Sequence, residues 1–148
     1  MGTNWAKPGR GHAPSYQVSG VPFVTSSANN EVKGHQTGNE PIHVSFPFVT
    51  RWFAIRCTDG SRPLRVGFTR NGMFGNLSTT GTGSFFVLPR DSSSQDDIMR
   101  FELACTDLFF LSDDQTLATD FSLIAGLTNI PRAEYLNLTA SAGFEGVG

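Results

Sequence analysis

Three observations predict an all-β fold. Short runs of β-branched and aromatic residues recur along the chain, each bounded by Gly, Pro, Asn, Asp or Ser. Within several runs apolar and polar residues alternate, the period of a strand with one buried face. No window sustains an apolar period of 3.6 residues flanked by capping residues, so a short helical turn at 115–119 is the most helix expected.

The runs lie at 21–25, 42–46, 49–57, 64–69, 84–88, 98–105, 108–111 and 120–127. Ile42, Val44 and Phe46 take one phase, with His43 and Ser45 on the other. Leu64, Val66 and Phe68 alternate with Arg65, Gly67 and Thr69. Met99, Phe101, Leu103 and Cys105 fall on the core phase, leaving Arg100 and Glu102 outside. The phase that buries Phe53, Ile55 and Cys57 turns Trp52, Ala54 and Arg56 outward. The expected core is therefore Phe46, Phe53, Ile55, Val66, Phe68, Phe101, Leu103, Phe121 and Leu123. Strands without crossover helices cannot build a parallel sheet, which leaves antiparallel sandwiches or barrels. Eight strands fit a jelly roll, although an immunoglobulin-like sandwich or a lectin-type roll has the same pattern.

The chain has 148 residues. It begins at Met1 and is expected to be one complete domain, large enough for a core without disulfide or metal staples. Residues 1–19 are rich in Gly, Pro, Ser and Asn and poor in aliphatic side chains, which predicts a flexible arm ahead of a single domain at 20–148. No stretch approaches the ~20 apolar residues that span a bilayer, and residues 1–25 lack the apolar core of a secretory signal. The protein is expected in the cytosol, with Cys57 and Cys105 as reduced thiols that serve as small core hydrophobes.

Formal net charge is −2, the wrong sign for a protein that mainly holds phosphates. Residues 1–70 carry eight Lys/Arg against three Asp/Glu, whereas residues 71–148 carry three against ten. Either the folded chain has complementary faces suited to binding copies of itself, or strands of the two halves interleave and the charges mix.

The residues offer little chemistry. His12, His35 and His43 have no metal-ligand spacing with a matching carboxylate. Cys57 and His43 make a conceivable nucleophile and base, but nothing in the sequence polarises the thiol. Asp113, Asp114 and Asp120 cluster without the spacing or central glycine of a calcium loop. No catalytic, cofactor-binding or metal residue is therefore assigned, and no enzyme is expected. Arg51, Arg56, Arg62, Arg65 and Arg70 crowd one region, yet Arg51 and Arg56 have opposite parity on a regular strand and make no continuous nucleic-acid stripe. Outward Trp52 beside Arg56 combines two residue types enriched at the centres of protein interfaces.

The order of several pieces resembles the penton, or minor capsid vertex, proteins of nucleo-cytoplasmic large DNA viruses, with an iridovirus-like character. These are Gly20-Val21-Pro22-Phe23-Val24-Thr25-Ser26-Ser27, Phe46-Pro47-Phe48-Val49-Thr50-Arg51 and Leu64-Arg65-Val66-Gly67-Phe68-Thr69-Arg70-Asn71-Gly72. They are followed by Leu108-Phe109-Phe110-Leu111-Ser112, Asp120-Phe121-Ser122-Leu123-Ile124-Ala125-Gly126-Leu127-Thr128 and Gly146-Val147-Gly148. The resemblance implies a single eight-stranded jelly roll, five copies of which fill each five-fold vertex of an icosahedral virion capsid made in the host cytoplasm. Its implied partners are copies of itself and neighbouring major and minor capsid proteins, with no small-molecule substrate, nucleic acid, cofactor or membrane span. A carbohydrate-binding β-sandwich using Trp52 and Trp5 as stacking platforms is the alternative.

On the capsid reading, the expected inter-subunit contacts are Trp5, Lys7, Arg10 and Tyr16 of the arm, Trp52 and Arg56 of the third strand, and Asp113 and Asp114 as an acidic dock. Deleting residues 1–19 is expected to leave the melting temperature nearly unchanged while weakening assembly, as a thermal melt paired with light scattering will read.

Overall fold

Eight strands form where the alternating runs predict them. The computed structural model describes residues 9–17, 20–29, 31–58, 62–74, 83–88 and 98–138. The strands are β1 (Val21–Ser26), β2 (Ile42–Ser45), β3 (Phe48–Cys57), β4 (Leu64–Gly67), β5 (Phe85–Leu88), β6 (Ile98–Phe101), β7 (Asp107–Ser112) and β8 (Phe121–Pro131). All their pairings are antiparallel. They build two four-stranded sheets, ordered β1-β8-β3-β6 and β2-β7-β4-β5, which pack as an all-β sandwich. Every connection between successive strands passes from one sheet to the other except β4 to β5.

Side-chain alternation explains the packing. Phe53, Ile55, Phe121, Leu123, Ala125 and Leu127 of the first sheet are buried against Val44, Leu64, Val66, Leu88, Leu108 and Phe110 of the second. Phe110 and Phe121 stack between the sheets with ring centroids 4.1 Å apart. Phe86 and Phe101 meet edge to face at 5.7 Å where β5 and β6 approach. Phe23 and Phe46 do the same at 4.9 Å. Such aromatic pairs add about 0.5–1.5 kcal/mol beyond their burial. Phe68 and Phe101, expected in the core, are half-buried against it.

Leu103 corrects the expected core: its side chain is 45% exposed. β6 ends at Phe101 instead of running on to Cys105, because a buried side chain competes for the next backbone groups. Thr50 Oγ1 donates to the Leu103 carbonyl at 2.8 Å and accepts from Cys105 N–H at 2.9 Å. This bonding from a distant threonine draws the backbone inward and leaves the Leu103 side chain outside. Cys105 itself is 1% exposed, as expected. Thr50 lies at a register shift in the β3–β8 ladder, and Thr128 treats another part of the same irregularity, its Oγ1 donating to the Val49 carbonyl at 2.8 Å. Both bulges thus keep their buried polar groups satisfied.

The helical turn expected at 115–119 is absent, and a five-residue helix, α1 (Arg70–Phe74), forms instead. Its start is capped: Gly72 N–H donates to Thr69 Oγ1 at 3.0 Å, the role in which Thr is favoured. At 115–119 the backbone donors are diverted, since Asp114 Oδ1 accepts from both Thr116 N–H and Leu117 N–H at 2.9 Å. Met73 is fully buried beside Phe109 and Leu111, so α1 covers the outer face of the second sheet. A Cβ added at Gly67 would lie 2.4 Å from Met73 Sδ, so glycine makes this close seating possible.

Within the expected arm, described residues 9–17 are tied to the sandwich. A 3₁₀ turn forms at Ala13–Tyr16, and Arg51 Nε donates to the Tyr16 carbonyl at 2.6 Å. Among the described residues no helix is long and apolar enough to cross a membrane.

Phe121→Ala should destabilise the protein by about 3–5 kcal/mol, the cost of emptying a buried aromatic site, while Phe101→Ala costs less because its ring is only half-buried. Denaturant titration of both variants measures the difference.

Candidate functional site

The outer face of the first sheet is set by the ladder register. Ser26, Ser122, Arg56 and Ile98 form one row; Val24, Ile124, Ala54 and Arg100 form the next; Pro22, Gly126 and Trp52 form a third. Val24 is 69% exposed, Ile98 62% and Ile124 45%. Ala54 and Gly126 supply little bulk at the centre, so the aliphatic groups stand over a shallow surface. This differs from the second sheet, whose outer face is covered by α1 over β4 and β7. Contiguous exposed apolar surface of this kind marks interaction sites more often than isolated exposed residues do.

Trp52 and Arg56 do share this face, as strand parity predicts, but the cation over Trp52 is Arg100. Its guanidinium carbon lies 4.5 Å from the indole centroid, and its Nη2 is 2.7 Å from Glu102 Oε1. Trp52 is thereby half-covered by its own chain. Arg56 is exposed and makes no hydrogen bond or ion pair within the described residues. Ala54 is buried despite its outward phase, because its short side chain lies between Ile124 and Arg100 on the flanking strands.

The other expected contacts are dispersed. Arg10 and Tyr16 lie in the docked segment, where Tyr16 Oη donates to the Arg10 carbonyl at 2.9 Å. Trp5 and Lys7 lie outside the described residues. Asp113 and Asp114 follow β7 on the other layer and are engaged within the chain. Arg65 Nε donates to Asp113 Oδ1 at 2.6 Å, and Arg62 Nε is 3.5 Å from Asp114 Oδ2. Bonds from Leu117 N–H and Thr116 N–H hold the Asp114 carboxyl below the usual carboxylate range. These pairs join the basic first half of the sequence to the acidic second half, so there the charges mix. Arg70 is also paired, with Glu40 at 2.5 Å. Much of the arginine crowd is thus neutralised locally.

Cys57 and His43 do not meet. Cys57 lies on β3, with Sγ donating to the Arg62 carbonyl at 3.2 Å, whereas His43 lies on the outer face of β2. Burial pushes the Cys105 thiol up to about 12, which keeps it protonated and unreactive. Among the described residues no group of three His, Cys, Asp or Glu side chains is placed to hold a metal ion.

Asp107 is a polar cluster that sequence reasoning missed. Its Oδ1 lies 2.8 Å from His43 Nε2, and Arg132 Nη2 donates to both carboxylate oxygens at 3.0 and 3.1 Å. Thr106 Oγ1 donates to Oδ2 at 2.7 Å, and the His43 ring stacks on Phe109 at 4.4 Å. Arg132 also bonds Ser45 Oγ and the Phe46 carbonyl, so the group clasps β2, β7 and the chain after β8 together.

Comparison with protein families, curated proteins and solved structures finds no match.

Burial opposes ionisation of Asp107, but the bonds from Thr106, His43 and Arg132 outweigh it and hold the carboxyl below its ordinary range. A depressed folded value adds stability above the unfolded value of about 3.9, and that stability is lost as pH falls through the folded value. Asp107→Asn should therefore melt lower than the wild type at neutral pH and lose less on acidification below about pH 4, as melts across pH will record.

Proposed function

We propose that this chain is a structural subunit of a virion capsid, a jelly roll that assembles as the homopentameric penton at the five-fold vertices of a large icosahedral DNA virus. The observation that carries the reading is the unequal finish of the two sheets. One outer face is covered by α1 over β4 and β7, while the other presents Val24, Ile98 and Ile124 to solvent beside Arg56, which is unpaired among the described residues. A sandwich completed on one side and open on the other suits a protein whose second side packs against neighbours.

The strand orders β1-β8-β3-β6 and β2-β7-β4-β5 support the jelly-roll assignment, since two interleaved Greek keys produce two four-stranded sheets whose connections repeatedly cross the sandwich. The ordered motifs between Gly20 and Gly148 support the narrower vertex reading. A ring needs a heterologous contact, in which one surface of a subunit meets a different surface of the next. Neighbouring capsid proteins are then the further partners, and the virion capsid is the location. The carbohydrate-binding alternative is weakened by Arg100, which occupies one face of the Trp52 ring that stacking on a sugar requires.

Electron microscopy of the purified full chain tests the reading. Rings of five are the expected outcome. Monomers at every concentration that bind a glycan array would transfer the assignment to a carbohydrate-binding module.

A further inference from the structure

We infer that the free edge of β1 is a pairing site for a second copy of this chain, which adds its own β1 antiparallel about a two-fold axis and makes the two β1-β8-β3-β6 sheets continuous. The contact stands apart from the five-fold reading. A two-fold pair joins two free subunits, or two rings, and never two neighbours within a ring of five.

The ladder phase identifies the groups at that edge. β1 ends its sheet and pairs only with β8 among the described residues. Ser27 N–H donates to the Phe121 carbonyl at 2.9 Å and continues the register in which Ser26 faces Ser122. Antiparallel bonds to one neighbour fall on every second residue, so Phe23, Thr25 and Ser27 turn their backbone groups towards β8, and Pro22, Val24 and Ser26 turn theirs away. The N–H groups of Val24 and Ser26 and the carbonyls of Pro22, Val24 and Ser26 have no partner among the described residues. Such a row of open donors and acceptors is a template for another extended chain.

A strand that pairs with its own copy needs donors and acceptors that exchange under a two-fold axis, and no charge that meets itself. β1 meets both conditions. Its six residues, VPFVTS, carry no charge, whereas β6 at the other end of the sheet carries Arg100. Val24 is 69% exposed, the most of any large apolar side chain among the described residues. Arg56 lies two strands in from the edge. Across the axis the two Arg56 positions are therefore about five strand spacings, ~24 Å, apart, well beyond a Debye length.

Pro22 selects the register. Its ring takes the place of an outward N–H and collides with a strand residue set opposite it. Val24 opposite its own mate would bring Pro22 against Ser26, so that register is excluded. Thr25 opposite Thr25 pairs Val24 with Ser26 in both directions and satisfies every outward N–H of both copies, while Pro22 falls opposite Ala28, beyond the end of β1. Facing threonines are a favoured cross-strand pair. On the outer face each Val24 then lies beside the other copy's Ser26 with Ile124 behind it, so the apolar row runs on across the axis.

Sedimentation velocity of the full chain over a range of concentrations tests the contact. Two-fold association is expected, as dimers or as paired rings, and Val24→Lys should raise the concentration for half-association roughly tenfold or more, since an edge lysine opposes strand pairing. Thr25→Cys reads the register. Facing Cα atoms about 4.5 Å apart lie within disulfide range, so mild oxidation should convert this variant to a covalent dimer on a non-reducing gel, beyond whatever the wild-type cysteines give. Both variants are expected to match the circular dichroism of the wild type. A wild type without two-fold association at any concentration, association that ignores Val24→Lys, or a Thr25→Cys variant that stays uncrosslinked overturns the pairing. Rings of five seen together with any of those results leave the five-fold reading standing.

Discussion

The stack of Phe110 on Phe121 joins the two sheets through their inner strands, and the rest of the fold is arranged around that contact. Phe110 belongs to β7 and Phe121 opens β8, the strands that lie inside the second and first sheets. Each ring is at most 1% exposed. Fixing them face to face sets which side of both sheets is inner, since one residue of slip would turn every neighbouring side chain over. The buried aliphatics on β3, β4 and β8 then follow from register alone.

Much of this was legible. Runs of β-branched and aromatic residues bounded by turn residues located the strands, and alternation gave the inner phase of β2, β3 and β4, because a sheet with one buried face writes its period into the residues. It did not reveal the open face. In Leu123-Ile124-Ala125 and Phe23-Val24 consecutive residues are apolar, so no period distinguishes the buried side chain from its exposed neighbour. Trp52 and Arg56 were readable by parity, but Arg100 reaches Trp52 from another strand, and no local pattern encodes that. Leu103 escaped for a similar reason: a threonine more than fifty residues earlier captures its carbonyl and the Cys105 N–H that follows. The Asp107 clasp also joins three distant parts of the chain. α1 is too short to show a helical period, though Thr69 ahead of Arg70 was a usable cap signal.

Electrostatics divides the surface further. Arg62, Arg65, Arg70 and Arg132 each meet a carboxylate, and all four pairs lie on or beside the second sheet. Exposed pairs of this kind contribute little stability. Their larger effect is to leave that side close to neutral.

The position of β8 has a consequence for how the chain emerges from the ribosome. β8 is the last strand made, yet it lies between β1 and β3, and β7 likewise arrives late between β2 and β4. Until β7 is made β2 has no ladder partner, and until β8 is made β1 has none, so the nascent chain exposes strand edges with apolar faces. Folding must therefore be largely post-translational and slow for the chain's size, as pairings of high sequence separation are. During that interval the unfinished chain is open to aggregation.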